Sequence, residues 1–318
     1  MPTWIVSFPD RLDAFLSKEE RMPSRQKAQA AIERGSVTVN DEVVTKPAHR
    51  VQEGDKVECT EDERYKMQDA TTEHIDMHLT VLYEDNACMV INKPAGVAVH
   101  PGAGMAAGEK TLLHGIAWMF HERSLPYRSD AVLVHRLDRE TTGCILIAKT
   151  PEAHQELQRQ FEERTVRKIY LAIVAGLPNP PSAVIDAPVG RSTANRTKMA
   201  VLGSSASREA RTTYRTLGKG GNASLLLCEI HTGRTHQIRL HLATIGHPIL
   251  GDGTYHNELS DRAAQEHAVA NLCLHAWKLT FRSPVDGESH SVEAPIPSTF
   301  SKTLETLGLH PPPPTGGD

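Results

Sequence analysis

The apolar positions of the chain come in short runs whose period changes along its length. The changes predict a small module, a polar break and a larger mixed region. Leu12, Phe15 and Leu16 keep helical spacing behind Asp10, an N-cap candidate, and Ala28, Ala31 and Ile32 form the stripe of a second helix behind Ser24. Gly35 stops that helix. Val37 and Val39 alternate with Ser36 and Thr38, Asn40-Asp41 supplies a two-residue turn, and Val43-Val44 follow, which predicts a hairpin. Gly54-Asp55 turns the chain again before Lys56-Val57-Glu58. Residues 1–60 therefore form one unit, and residues 61–78, polar and without period, form a linker.

Tighter patterning begins at Leu79. Val81-Leu82-Tyr83 and Cys88-Met89-Val90-Ile91 flank a Glu84-Asp85-Asn86 turn as a hairpin, Asn92-Lys93-Pro94-Ala95-Gly96 is an irregular loop, and Val97-Ala98-Val99-His100-Pro101 is extended. Leu113, Ile116, Ala117 and Phe120 form a helical stripe. An apolar run over residues 131–134 then enters the loop His135-Arg136-Leu137-Asp138-Arg139-Glu140-Thr141-Thr142-Gly143, and Cys144-Ile145-Leu146-Ile147-Ala148 leaves it, which predicts strand, loop, strand. Thr150-Pro151-Glu152 opens a helix with inner positions Ala153, Leu157 and Phe161. In the strand around Ile169, Leu171 and Ile173, one face is greasy, while Lys168, Tyr170 and Ala172 share the other. Residues 191–219 hold seven basic side chains (Arg191, Arg196, Lys198, Arg208, Arg211, Arg215, Lys219) against Glu209, a solvated stretch suited to phosphates. The strand Leu225-Leu226-Leu227-Cys228-Glu229-Ile230 runs into His231-Thr232-Gly233-Arg234, and a helix starts near Thr235, so a glycine turn precedes a helix N-terminus. A Gly/Pro-rich loop from Gly246 to Asp252 and an alternating run from Leu274 to Phe281 follow; residues 306–318, rich in Pro and Gly, are expected to be disordered.

Composition narrows the classes. With 318 residues, 39% apolar and 23% charged, the chain has enough material for a sizeable core. No run approaches the roughly 18 apolar residues of a membrane span, and the N-terminus lacks the basic and apolar segments of a secretory signal. Five scattered cysteines, several inside apolar runs, fit a reduced, cytoplasmic protein. His231, His236 and His241 recur every five residues, which spreads them round a helix, and no thiol or carboxylate completes a metal motif. The net charge of −4 argues against nucleic-acid binding by bulk charge and leaves a local basic groove open.

Asp138 is the candidate for chemistry, a carboxylate near the tip of a loop between apolar runs. A lone loop aspartate more often caps its own turn. Tyr170, taken alone, is more often ordinary sheet packing.

Residues 1–60 resemble the S4 RNA-binding module, through Arg11-Leu12-Asp13, Ser24-Arg25, Gly35-Ser36-Val37-Thr38-Val39-Asn40, Lys46-Pro47 and Gly54-Asp55. The resemblance implies RNA contact around Arg25, Lys27, Arg34 and Lys46, although the unit carries nine basic against ten acidic residues. Residues 79–305 resemble pseudouridine synthases of the RluA/RluD family. The motifs are Tyr83-Glu84-Asp85, Ile91-Asn92-Lys93-Pro94-Ala95-Gly96 with His100-Pro101, and His135-Arg136-Leu137-Asp138 with Thr141 and Gly143. They continue with Lys168 and Tyr170, Gly233-Arg234-Thr235-His236-Gln237-Ile238-Arg239, Gly246-His247-Pro248-Ile249 with Gly251-Asp252, and Leu274-His275-Ala276. Thr142 replaces a frequent serine, and Asp41 a frequent S4 glycine.

That resemblance implies an α+β fold, with a large mixed, mostly antiparallel sheet flanked by helices behind the S4-like module. It implies an isomerase that turns uridine into pseudouridine in structured RNA, large-subunit ribosomal RNA first and transfer RNA second, as a monomer without cofactor or metal. Asp138 would be the nucleophile, attacking either C6 of the base or the ribose C1′ region, with Arg239 pairing with it and Tyr170 against the flipped base, where it could take part in removing the C5 proton. Arg136 would fill the vacated stack, Ile238 would line the base pocket, Lys168 would meet a phosphate or support the pocket, and His135 and Arg234 would complete the substrate site. A non-catalytic RNA-binding factor or a glycosidase-like hydrolase remain as alternatives.

Overall fold

The computed structural model describes residues 3–18, 21–22, 25–59, 72–101, 105–106, 108–191, 199–201 and 207–313. Ser24, the side chain of Lys27, and Arg196 and Lys198 of the basic stretch lie outside the described residues. The chain divides into two compact units, residues 1–71 and 72–318. Among the described residues no helix is long and apolar enough to cross a membrane.

In the first unit the strands Thr3–Ile5, Lys56–Cys59, Val37–Val39 and Glu42–Val43 form one antiparallel sheet in that order. Helices Leu12–Leu16 and Arg25–Glu33 bury Leu12, Phe15, Leu16, Ala28, Ala31 and Ile32 against Val37 and Val57. Asn40 and Asp41 both sit at positive φ (52° and 68°), the backbone a tight two-residue hairpin demands. The expected cap does not form: Asp10 is strand-paired with Val51 and accepts its neighbour's N–H, so Arg11 heads the first helix. Among the described residues of this unit, Asp13 is the buried charge. It accepts two bonds each from Arg11 and Arg25 and a fifth, at 2.8 Å, from Gln29.

The second unit is built on a nine-stranded sheet. From one edge its order is Ser182–Asp186, Arg211–Gly220, Ala223–Ile230, Arg167–Ala175, Leu274–Arg282, Thr142–Ala148, Cys88–Lys93 and Thr80–Glu84, with Ser289–Glu293 also paired to Leu274–Arg282. Every pairing is antiparallel except that of Leu274–Arg282 with Thr142–Ala148, which is parallel and registers only His275 with Thr142 and Ala276 with Gly143. The fold is thus α+β with a mixed, mostly antiparallel sheet. Helices Leu112–Glu122, Pro151–Glu162, Gln237–Thr244, Glu258–Glu266 and Ser298–Thr306 accompany it. The Pro151–Glu162 helix is capped as its sequence demands, Thr150 Oγ1 accepting the Ala153 N–H.

Several expectations fail for identifiable reasons. Residues 131–134 pair with the sheet at a single bridge, Leu133 to Ile147, so the central loop hangs from one strand rather than two. Residues 97–101 form no strand. The segment 73–78 is no free linker: the Ile75 N–H bonds the His114 carbonyl, His74 packs on His121, and Glu73 pairs with Lys110. The second half of the basic stretch is a strand, Arg211–Gly220, because Arg211 and Arg215 alternate with buried Thr212 and Tyr214. Order also runs past residue 306, since Leu307 and Leu309 are buried in the core. All five cysteines are buried.

Candidate active site

The site forms where the parallel junction interrupts the antiparallel sheet. Gly143 makes that junction possible. Its φ of +110° suits glycine alone, and a Cβ there would lie 2.2 Å from the Ala276 carbonyl oxygen. The Thr142 hydroxyl meets His275 Nδ1 at 2.8 Å across the same junction. Upstream, the Thr141 N–H closes a turn on the Asp138 carbonyl, and Leu137 is buried beneath it. Lys93, with no exposed surface, donates to the carbonyls of Pro94, Val97 and Arg139 at 2.7, 2.8 and 2.8 Å. Burial pushes its ammonium down to about 8 while Glu140 and Asp138 pull the other way. A lysine thus staples the irregular loop behind it to the residue next to Asp138.

A cavity of about 490 Å³ opens beside this loop, a volume suited to a small ligand. All eight residues expected to act on substrate line it: His135, Arg136, Asp138, Lys168, Tyr170, Arg234, Ile238 and Arg239. They come from the loop, from the start of the strand Arg167–Ala175, and from the helix Gln237–Thr244 with the turn ahead of it.

Arg239 reaches Asp138 with one N–H at 3.3 Å, and its other edge is locked by Asp252 through two bonds of 2.7 and 2.8 Å. Asp252 is fully buried and also accepts the N–H groups of Thr254 and Tyr255. The guanidinium lies 5.3 Å over the Tyr255 ring. Its own proton affinity is raised: the bonds and charges of Asp252 and Asp138 outweigh its burial. Asp252 is therefore the dominant partner of Arg239, and Asp138 receives the weaker contact.

The other side chains differ in how free they are. Tyr170 is 7% exposed, its hydroxyl bonds none of the described residues, and burial, with Asp138 adding to it, raises its pKa. Lys168 is buried over the Phe161 ring with no carboxylate partner among the described residues, and burial followed by Arg164 brings its ammonium down to about 8. His135 stacks on Phe161, and its Nε2 accepts the Leu146 N–H, so it holds the loop on the strand; burial first, then Lys168, pushes it down to about 3. Arg136 is exposed, with an N–H 3.1 Å from His100 Nε2. Arg234 donates to the Glu209 carbonyl.

The helix expected near Thr235, behind the glycine turn, starts later. The helix begins only at Gln237, because His236 adopts the left-handed conformation with φ 57°. The three histidines separate, His231 to Thr213, His236 to Tyr255, and His241 to Thr212 and the Ala187 carbonyl. Among the described residues no three His, Cys, Asp or Glu side chains converge on a metal position.

Residues 87–244 match the family model described as RNA pseudouridylate synthase, and residues 10–57 match that of the S4 domain. The ribosomal large subunit pseudouridine synthase D of Nitrosomonas europaea is 38% identical over 300 residues, which cover 93% of this chain and 84% of that protein. The chain belongs to the RNA pseudouridine synthase family. As an enzyme of that family it is an isomerase acting on RNA. A chloroplastic RNA pseudouridine synthase 2 of Arabidopsis thaliana is 33% identical over 93% of this chain and 80% of that one. The solved human RNA pseudouridylate synthase domain containing 4 aligns at a TM-score of 0.60 and 28% identity, covering 73% of this chain and 94% of that one.

Within this synthase, sequence reasoning missed Asp252, Tyr255 and the stapling role of Lys93. Asp252 had a signal in the Gly251-Asp252 pair, but nothing in a Gly/Pro-rich loop says which side chain turns inward. Gly251 answers it structurally: at φ 77°, it brings the backbone so close to the Asn271 carbonyl that a Cβ would sit 2.1 Å from the oxygen.

Proposed function

We propose that this synthase converts uridines of large-subunit ribosomal RNA to pseudouridine with Asp138 as nucleophile and no cofactor. The observation that carries this is the unequal sharing of Arg239: Asp252 fixes the guanidinium, and Asp138 is aimed by one long contact that leaves its oxygens open to the cavity. Uridine and pseudouridine are isomers, so the conversion consumes nothing. Asp138 attacks C6 of the base or the C1′ region and the N1–C1′ bond breaks; C5 of the turned uracil then bonds C1′, the bond to Asp138 is released, and the proton lost from C5 is balanced by one gained at N1. Relatives named for the ribosomal large subunit support that RNA over transfer RNA.

The remaining side chains take roles consistent with their states. Tyr170, whose burial favours the neutral phenol, serves as a ring platform for the base. Ile238 walls the pocket. Arg136, exposed and held by a single histidine contact, leaves His100 to occupy the gap in the RNA stack; extruding the base costs a few kcal/mol, which such a filling offsets. Lys168 receives a backbone phosphate, and Arg234 meets the RNA at the cavity mouth. His135 acts through the loop it anchors. In the S4 unit Arg34 and Lys46, both exposed, join Lys27 at the RNA, while Arg25 divides itself between RNA and Asp13.

The test pairs Asp138→Asn with a map of pseudouridines in ribosomal and transfer RNA from cells with and without the gene. The expected result is loss of one or more large-subunit pseudouridines without the gene, no restoration by Asp138→Asn, and RNA affinity within about threefold of the parent. Full restoration by Asp138→Asn would sink the nucleophile; loss confined to transfer RNA would move the substrate there.

A further inference from the structure

His236 has no role in the scheme above, yet it lines the cavity on a strained backbone. Its backbone is left-handed (φ 57°, ψ 19°) at the head of the Gln237–Thr244 helix, a conformation that costs a non-glycine residue energy and that clusters at functional sites. Its ring lines the cavity together with Asp138 and Arg239. Nδ1 lies 3.0 Å from the Tyr255 hydroxyl, and the same phenol oxygen accepts the Met199 N–H at 2.9 Å. The phenol has one proton, and among the described residues Nδ1 is the one acceptor near it. With the phenol proton assigned to Nδ1, the proton of a neutral imidazole sits on Nε2. Nε2 makes no hydrogen bond to the described residues. Burial lowers the pKa of His236, with Asp138 and Asp252 pulling up and Arg239 and Arg136 pushing down, which agrees with a neutral ring. Tyr255 is itself seated by its N–H on Asp252, so the loop that fixes Arg239 also fixes His236.

We propose that the Nε2–H of His236 is a hydrogen-bond donor to a carbonyl oxygen of the reacting uracil and stabilises the negative charge that gathers there. This rests on the assignment of Asp138 as nucleophile. Heterolysis of N1–C1′ leaves the bonding pair on the uracil, spread over N1, O2 and O4. Attack of Asp138 at C6 instead drives the pair through C5–C4 onto O4. Either route places negative charge on a carbonyl oxygen, and a fixed donor there stabilises the transition state without moving a proton. A phosphate is the poorer ligand for this position, because it would face the Asp138 carboxylate.

The test compares His236→Gly and His236→Gln in single-turnover modification of an RNA substrate, with RNA affinity and melting temperature measured alongside. Glycine suits φ 57° and removes the donor, so the variant is expected to melt no lower than the parent while its rate falls about 100-fold at unchanged RNA affinity. Glutamine carries an N–H at about the distance of Nε2 and is expected to recover most of that loss. A His236→Gly rate within threefold of the parent, a loss explained entirely by weaker RNA binding, or a His236→Gln variant no faster than glycine each overturns the proposal. Asp138→Asn in the same assay separates the two claims. If it is inactive while His236→Gly turns over normally, only the role of His236 falls; if it turns over, the assignment of Asp138 falls with it.

Discussion

Each unit of this protein contains an aspartate held by arginine, and the two are held to opposite ends. Asp13 in the S4 unit has no exposed side-chain surface and accepts five bonds from Arg11, Arg25 and Gln29. Asp138 is 17% exposed and receives one contact of 3.3 Å. The same pair of residue types thus yields a clasp in one place and an open carboxylate, the proposed nucleophile, in the other. The difference lies in the third party. At Asp13 two arginines serve one carboxylate; at Asp138 two carboxylates share one arginine, and Asp252 has the larger share. Unspent acceptor capacity, more than proximity to a cation, distinguishes the proposed nucleophile.

Four changes break or sharpen this contrast, the largest first. Gly143→Ala attacks the junction that places Asp138. A methyl 2.2 Å from the Ala276 oxygen at φ +110° should destabilise the second unit by about 3 kcal/mol or more, read in denaturant unfolding, with modification lost. Asp252→Asn removes the competing carboxylate and lets Arg239 close on Asp138. Modification should slow by about 100-fold, near 2.7 kcal/mol of barrier, while RNA affinity holds. A rate equal to the parent's would mean that Asp252 is only structural. Asp13→Asn should destabilise the S4 unit by about 1–3 kcal/mol, seen as faster hydrogen exchange in residues 25–57, with single-turnover chemistry at saturating RNA unchanged.

The smallest effect is that of pH on the same clasp. The Arg11 bond, with Gln29 and Arg25 behind it, holds the Asp13 carboxyl well below its usual range. A depressed folded-state pKa contributes stability that is complete above the unfolded value of about 4 and is lost as pH falls through the folded value. Protection of the S4 unit should therefore decline below about pH 4 in the parent and stay flatter in Asp13→Asn.

Much of this was legible in the sequence because it depends on local pattern. The S4 hairpin follows from Asn40-Asp41 between alternating valines, and the Thr150-Pro151 helix start follows from capping chemistry. The meeting of Asp138 with Tyr170, Arg239 and Ile238 was legible through motifs, whereas periodicity alone gave Tyr170 as packing. What was not legible depends on tertiary partners. Residues 131–134 look like a strand because they are apolar, yet their burial is served by a single bridge. The strand Arg211–Gly220 was hidden because its outward face is charged. The inward turn of Asp252 and the contact of His236 with Tyr255 are set by a loop whose inward and outward side chains no period distinguishes.

The two-residue parallel junction has a consequence for the order of assembly. Thr142 and His275, which meet across it, are 133 residues apart. Until Leu274–Arg282 has been synthesised and inserted, the strand bearing Tyr170 and the loop bearing Asp138 belong to two separate antiparallel sheets. Closing so long a loop is an entropic burden met only when the strand docks on both sides at once, which makes it a late step. A chain ending before Leu274 should keep protected hairpins yet form no pseudouridine. Chemistry on RNA thereby waits for the last third of the polypeptide, and the timing is written into strand order rather than into any regulatory residue.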